Sequence, residues 1–224
     1  MVRRVTAASI AAAGLLLASP ALTACGSGPA HAGAAAIVGN HRITESTLQA
    51  QVNAVRAAQR GALQQGGGAT QAQSANLSTQ TLSDMVQEAV ISRAVADAGV
   101  TVSDGEVQSN KDEALRQFGG SEQQLDAWLL QNRNVPPSGV DAFFRTNVQI
   151  TKLTEKLGYQ PGSDGGLTAL VAELSKTAQR MGVRVNPRYG TWNPKQAAIG
   201  KAKDPWVVDK TPIPAEATGP TGAA

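Results

Sequence analysis

Cysteine occurs once in the 224 residues, so no disulfide can form within the chain. Aromatics are scarce: three Phe, three Trp and two Tyr make up 4% of the sequence. A core must therefore be packed from Ala, Leu and Val, and strong apolar hot spots for a tight partner are few. His31 and His41 are the only histidines. They are far apart and lack a neighbouring carboxylate cluster, which argues against a metal site. No G-x-S-x-G, H-E-x-x-H or phosphate-cradling G-x-x-x-x-G-K-[ST] pattern occurs, so the common hydrolase, zincin and P-loop chemistries are excluded and no cofactor is expected. The longest apolar run, Ile10 to Ser19, has 10 residues, against the roughly 20 that a membrane-spanning helix needs.

Charge is also nearly balanced. Without Arg3 and Arg4 the chain carries 18 Lys and Arg against 17 Asp and Glu. No basic run or basic strip studded with aromatics occurs, so nucleic acid is not an expected partner.

The N-terminus has the parts of an export signal: Arg3 and Arg4, the apolar run, then Leu22-Thr23-Ala24-Cys25. Small residues followed at once by Cys resemble a bacterial lipobox; the competing reading is an ordinary signal peptide with an incidental cysteine. That resemblance implies cleavage between Ala24 and Cys25 and lipid on the new N-terminal Cys25. It also accounts for a lone thiol in an exported chain. Residues 1–24 are then the signal and 25–34, small and uncharged, a tether. The expected location is the extracytoplasmic face of the cell membrane, with the lipid as anchor.

Beyond the tether, Ile37 and Val38 precede Gly39-Asn40, a hairpin signal. Thr44 suits a helix N-cap. Leu48, Val52 and Val55 place a first helix to about Arg60. A second helix from about Thr79 to Ala98 is apolar on two faces, which marks the central one. Arg93 falls in its stripe, where the stem can pack while the head reaches solvent or a carboxylate. Ser103 to Glu106 fits a capping box, and Ser121 repeats the signal. Pro136-Pro137 ends a fourth helix, Ser138 is the expected cap of a fifth to about Leu157, and a sixth runs from Leu167 to Met181. Val183 to Val185 alternates like a strand. Tyr189 and Trp192 suit anchors for this closing segment. Residues 193–224, rich in Pro, Gly and Ala from Asp204 on, read as a disordered tail.

Four stretches in this order resemble the N-terminal domain of the SurA/PrsA/trigger-factor-like extracytoplasmic chaperones. They are Ala36-Ile37-Val38-Gly39-Asn40-His41-Arg42-Ile43-Thr44, then Gly99 to Val107 (GVTVSDGEV), Phe118 to Asn132 (FGGSEQQLDAWLLQN), and Val183 to Gly190 (VRVNPRYG). The resemblance spans residues 35–192. It implies a mainly α domain with a short N-terminal β-hairpin and a closing C-terminal strand. Relatives often carry a parvulin prolyl-isomerase domain before the closing segment; here Tyr159 to Gly166 occupies that place, too short for a domain. The resemblance therefore implies a non-enzymatic, ATP-independent holdase for unfolded or exported polypeptides, or else an envelope assembly lipoprotein with one specific partner. Trp128, Phe143 and Phe144 are the candidate client contacts. The competing reading is that they are core, as large apolar side chains at helical spacing usually are. Asp104/Glu106 and Asp112/Glu113 read as caps and solvated helix faces rather than acid–base pairs.

Overall fold

A computed structural model describes residues 33–64 and 76–200. Its first strand, β1 (Ala34–Val38), is nearly wholly buried, and its alanines let neighbouring elements approach closely. It pairs antiparallel with β2 (His41–Thr44) through the Gly39-Asn40 turn, where Gly39 has φ +60°. A positive φ at the first turn residue is what a two-residue hairpin loop with leading glycine requires. Thr44 then caps α1 (Glu45–Gln64): its Oγ1 accepts from the Thr47 N–H at 3.0 Å.

Helix α2 (Leu77–Asp97) is the central element, as its two apolar faces require. It packs against α1, β1 and three later elements, α5 (Val140–Lys156), α6 (Asp164–Met181) and β5 (Ala198–Gly200). Leu82, Val86, Val90, Ile91, Ala94 and Val95 are buried along it. With Leu48, Val52, Leu153, Leu170 and Leu174 they form the main core. Arg93 is exposed and bonds Asp97 at 2.7 Å, so its head does reach a carboxylate.

Two more helices, α3 (Asp104–Gln117) and α4 (Glu122–Arg133), form a side lobe with the first half of α5. Both cap signals are realised. Ser103 and Glu106 exchange the reciprocal bonds of a capping box, and Ser121 accepts from Gln124. Ser138 does not cap α5. It lies inside a 3-10 turn, Pro137–Gly139, that leads into the helix without a side-chain cap. Helix α6 starts earlier than its apolar residues suggest, because Ser163 caps it through the Gly166 N–H. The α5–α6 connection is a short turn between Lys156 and Asp164.

The closing strand β3 (Arg184–Val185) pairs antiparallel with β1 on the side opposite β2. Asn186 donates to the Ala35 and Ala34 carbonyls, and Arg188 reaches Glu45 at 3.4 Å. Tyr189 is buried and Trp192 half-buried, so the expected anchors are in place. The order continues past Trp192, where the tail was expected to begin. β4 (Thr191–Asn193) pairs with β5, and this hairpin is fixed to α2. Gln87 donates to the Ala197 carbonyl at 2.8 Å, and Ser83 accepts from the Ile199 N–H at 3.2 Å. Those long-range bonds, rather than local composition, order residues 193–200.

Among the described residues no helix is long and apolar enough to cross a membrane, and no buried side-chain polar atom lacks a partner.

Candidate functional site

The side lobe has its own small core: Val107, Leu125, Leu129, Val140 and Phe144. Its shape follows from three local signals. The capping box starts α3. Gly119 and Gly120, both at positive φ, turn the chain back into α4. Asn134, left-handed at φ 54°, ends α4 ahead of the proline pair. The short loops hold α3 and α4 together, and α5 closes the third side.

Over this core lies an open cleft of about 290 Å³ between α3, α4 and α5. Four aromatics line it: Phe118, Trp128, Phe143 and Phe144. All three phenylalanines of the chain are therefore here. Counted with Trp128, the four aromatics come from three separate segments, so the fold, not sequence proximity, gathers them. Phe118 and Trp128 stack tilted at 5.9 Å, and Phe143 meets Phe144 edge-to-face at 5.4 Å. Such geometries stabilise aromatic pairs beyond their area.

The three candidates do not share one role. Phe144 is 3% exposed and belongs to the core. Phe143 is half-buried, and Trp128 is 42% exposed. The core reading therefore holds for Phe144 and fails for Trp128. Phe118, which the sequence reading did not single out, completes the aromatic wall. Its position at the end of α3, before the glycine pair, was the available signal.

The polar lining is mostly amide: Asn110, Gln117 and Asn147. Among the described residues none of these three side chains is hydrogen-bonded to another protein group. Free amides beside aromatic faces can bond a peptide backbone while apolar side chains seat below. Glu113 is the single charged residue of the lining.

Ion pairs brace the lobe from outside. Lys111 lies 3.6 Å from Asp141 and 3.7 Å from Glu122, joining α3 to the first turns of α5 and α4. Arg145 pairs with Asp104, and Lys152 with Glu106. The Lys152 ammonium first, and then the Ser103 backbone and hydroxyl, hold the Glu106 carboxyl at about 2, below its ordinary 4.5. Burial raises Asp126, with Lys111 opposing. Asp104 and Glu106 thus serve the start of α3 and its braces rather than forming an acid–base pair, and Asp112 accepts from Gln108 along α3. Asp84 on α2 stands apart from the cleft. Surrounding protein pushes its carboxyl up to about 6 although the side chain keeps solvent access, and Arg133 opposes the rise.

The brace gives a pH prediction. A carboxyl depressed by folding adds stability above its unfolded value, and that contribution is lost as pH falls from 4.5 towards 2. Glu106→Gln retains the reach of a capping box but removes the charge facing Lys152. Its melting temperature should lie below the parent's at pH 7, and the gap should close as pH falls through that window. Melting curves at pH 7, 4 and 2.5 check this; a constant gap would assign the loss to the cap alone.

His41 sits at the exposed start of β2, opposite Val38. Among the described residues no three His, Cys, Asp or Glu gather as a metal would need. Ala24, Cys25 and His31, the 66–68 glycines and the tail from 201 lie outside the described residues.

No curated protein and no solved structure matches the chain. The family model of the SurA-like N-terminal domain matches residues 2–154, which takes in the hairpin, α1 to α4 and nearly all of α5, and so the whole cleft. No parvulin domain was found beside it.

Proposed function

The chain belongs to the SurA-like N-terminal domain family, and from that premise we propose that it is an ATP-independent holdase for exported polypeptides, tethered by lipid on Cys25 to the outer face of the cell membrane. The family suggests a chaperone-like role, and SurA-like domains bind polypeptide substrates. One observation supports placing the contact here. All three phenylalanines and an exposed Trp128 meet in one cleft whose three amide side chains have no hydrogen-bond partner among the described residues. A chain this poor in aromatics could have spent them in its main core. That core instead contains Leu, Val, Ile and Ala with one buried Tyr.

The role needs no covalent step. An apolar side chain of an unfolded client enters between Phe118, Trp128 and Phe143. Asn110, Gln117 and Asn147 meet its backbone. The cleft is small and open, so each contact is weak and exchange is fast. That suits transient protection of many sequences rather than capture of one. A lipid at Cys25 would hold the site near chains emerging from export.

The test is aggregation. Residues 26–224 are mixed with two unrelated unfolding proteins, and light scattering is followed. Suppression of both near equimolar ratio is expected, with most of it lost in Trp128→Ala/Phe143→Ala. Absence of suppression would overturn the holdase reading and favour an assembly lipoprotein, recovered by crosslinking in cells with one partner at fixed stoichiometry.

A further inference from the structure

We infer that the cleft selects cationic client segments, those in which Lys or Arg flanks an apolar or aromatic residue. The inference rests on the cleft being the polypeptide site. Three observations carry it. First, Glu113 is the only charged lining residue, and its side chain is 69% exposed at the lip. Second, residues 104–147 hold seven carboxylates (Asp104, Glu106, Asp112, Glu113, Glu122, Asp126, Asp141) and four cations, with Lys152 further along α5 set against Glu106, although the chain without Arg3 and Arg4 is net positive by one. The acidity is thus concentrated on the lobe that bears the cleft. Third, two of the lobe's four cations are committed away from the lip: Lys111 to Glu122 and Asp141, and Arg145 to Asp104. Arg116 does lie 3.8 Å from Glu113, but both side chains are about 70% exposed. Such a pair holds little energy and yields to a competitor.

Geometry favours the cation further. Successive residues of an extended segment rise about 3.3 Å each. With one apolar side chain seated on the aromatic wall, its neighbours fall at the lip, within reach of Glu113 and of the open indole of Trp128. A carboxylate attracts an ammonium or guanidinium there, and an aromatic face does the same. An acidic flank meets repulsion from both.

The experiment uses the mature chain and three labelled decapeptides with one shared Leu-Phe-Leu centre and flanks of Lys, Gln or Glu, followed by fluorescence anisotropy at low and high salt. The Lys peptide should bind about threefold to tenfold tighter than the Gln peptide at low salt, and the Glu peptide weakest, as one exposed ion pair plus one cation–aromatic contact would give. High salt and Glu113→Gln should each narrow that spread. Glu113 is solvent-exposed, so its replacement leaves the fold intact. Equal binding of all three, lost together in Trp128→Ala/Phe143→Ala, would overturn the charge preference and leave the cleft as the site. A Lys preference that survives the double aromatic variant would overturn the inference, because the attraction would lie elsewhere. Binding of every peptide undisturbed by that variant would overturn the cleft reading itself.

Discussion

Gly190→Ala should lower the melting temperature by about 4–12 °C, the equivalent of about 2–4 kcal/mol in a domain of this size. Gly190 has φ 129°, a backbone region that side chains other than hydrogen rarely permit. A methyl built on it would lie 2.7 Å from the Ile199 Cγ2 and would also run into the Gly200 carbonyl. Neither neighbour can retreat freely, since Gly200 belongs to β5 and β5 is fixed to α2. The strain should therefore lift the β4–β5 hairpin from α2 and uncover Ala197 and the Val86–Val90 face. Gly61→Ala is the control. That glycine lies in α1 with nothing within 4 Å of a new Cβ. Alanine there should stabilise by about 0.5–1 kcal/mol. Melting curves with protease susceptibility at residues 191–200 check both. A Gly190→Ala protein that melts with the parent would show that the closing hairpin contributes nothing to the fold.

Gly190 also marks where local reading of the sequence stops working. The helices were legible because their ends are encoded locally. Ser103 with Glu106 and Ser121 each act within a few residues of themselves, and each sits where the pattern puts it. The first hairpin was legible for the same reason. The β4–β5 hairpin was not. Asn193 to Gln196 is polar with a central Pro, and Ala197 adopts φ 47°, which its identity gives no reason to expect. Its order comes from Ser83 and Gln87, more than 100 residues earlier in the chain. Ser138 misled in the opposite direction. It is a good cap by type, but Pro136 and Pro137 set a 3-10 turn around it first.

The cleft was half legible. Helical spacing placed Trp128, Phe143 and Phe144 on apolar stripes, and an apolar stripe cannot say which of its members faces a gap. Trp128 and Leu129 show why. They are adjacent, both large and both apolar, yet one is 42% exposed and the other 1%. Only the packing of α3 and α5 against α4 separates them, and that arrangement depends on the Gly119-Gly120 reversal and the Asn134 stop together.

That adjacency permits the sharpest separation of stability from function. Leu129→Ala should destabilise by about 2–5 kcal/mol, since it leaves a cavity beneath Phe144 in a core of few members. Trp128→Ala should cost only about 1 kcal/mol, chiefly the lost stacking on Phe118. For client binding the ranking should reverse under conditions where both proteins are folded. Removal of Trp128 should weaken peptide affinity about tenfold or more, as loss of an aromatic anchor does. Leu129→Met, which keeps volume, should leave affinity close to the parent's. Thermal melts and anisotropy titrations on the three variants measure the two effects separately. If Trp128→Ala loses stability and affinity in the same proportion as Leu129→Ala, the indole is part of the core after all and the client surface must lie on another face. If affinity falls alone, the open face of Trp128 is a contact surface, and the fold bears the exposure of its largest side chain because that exposure is what meets the client.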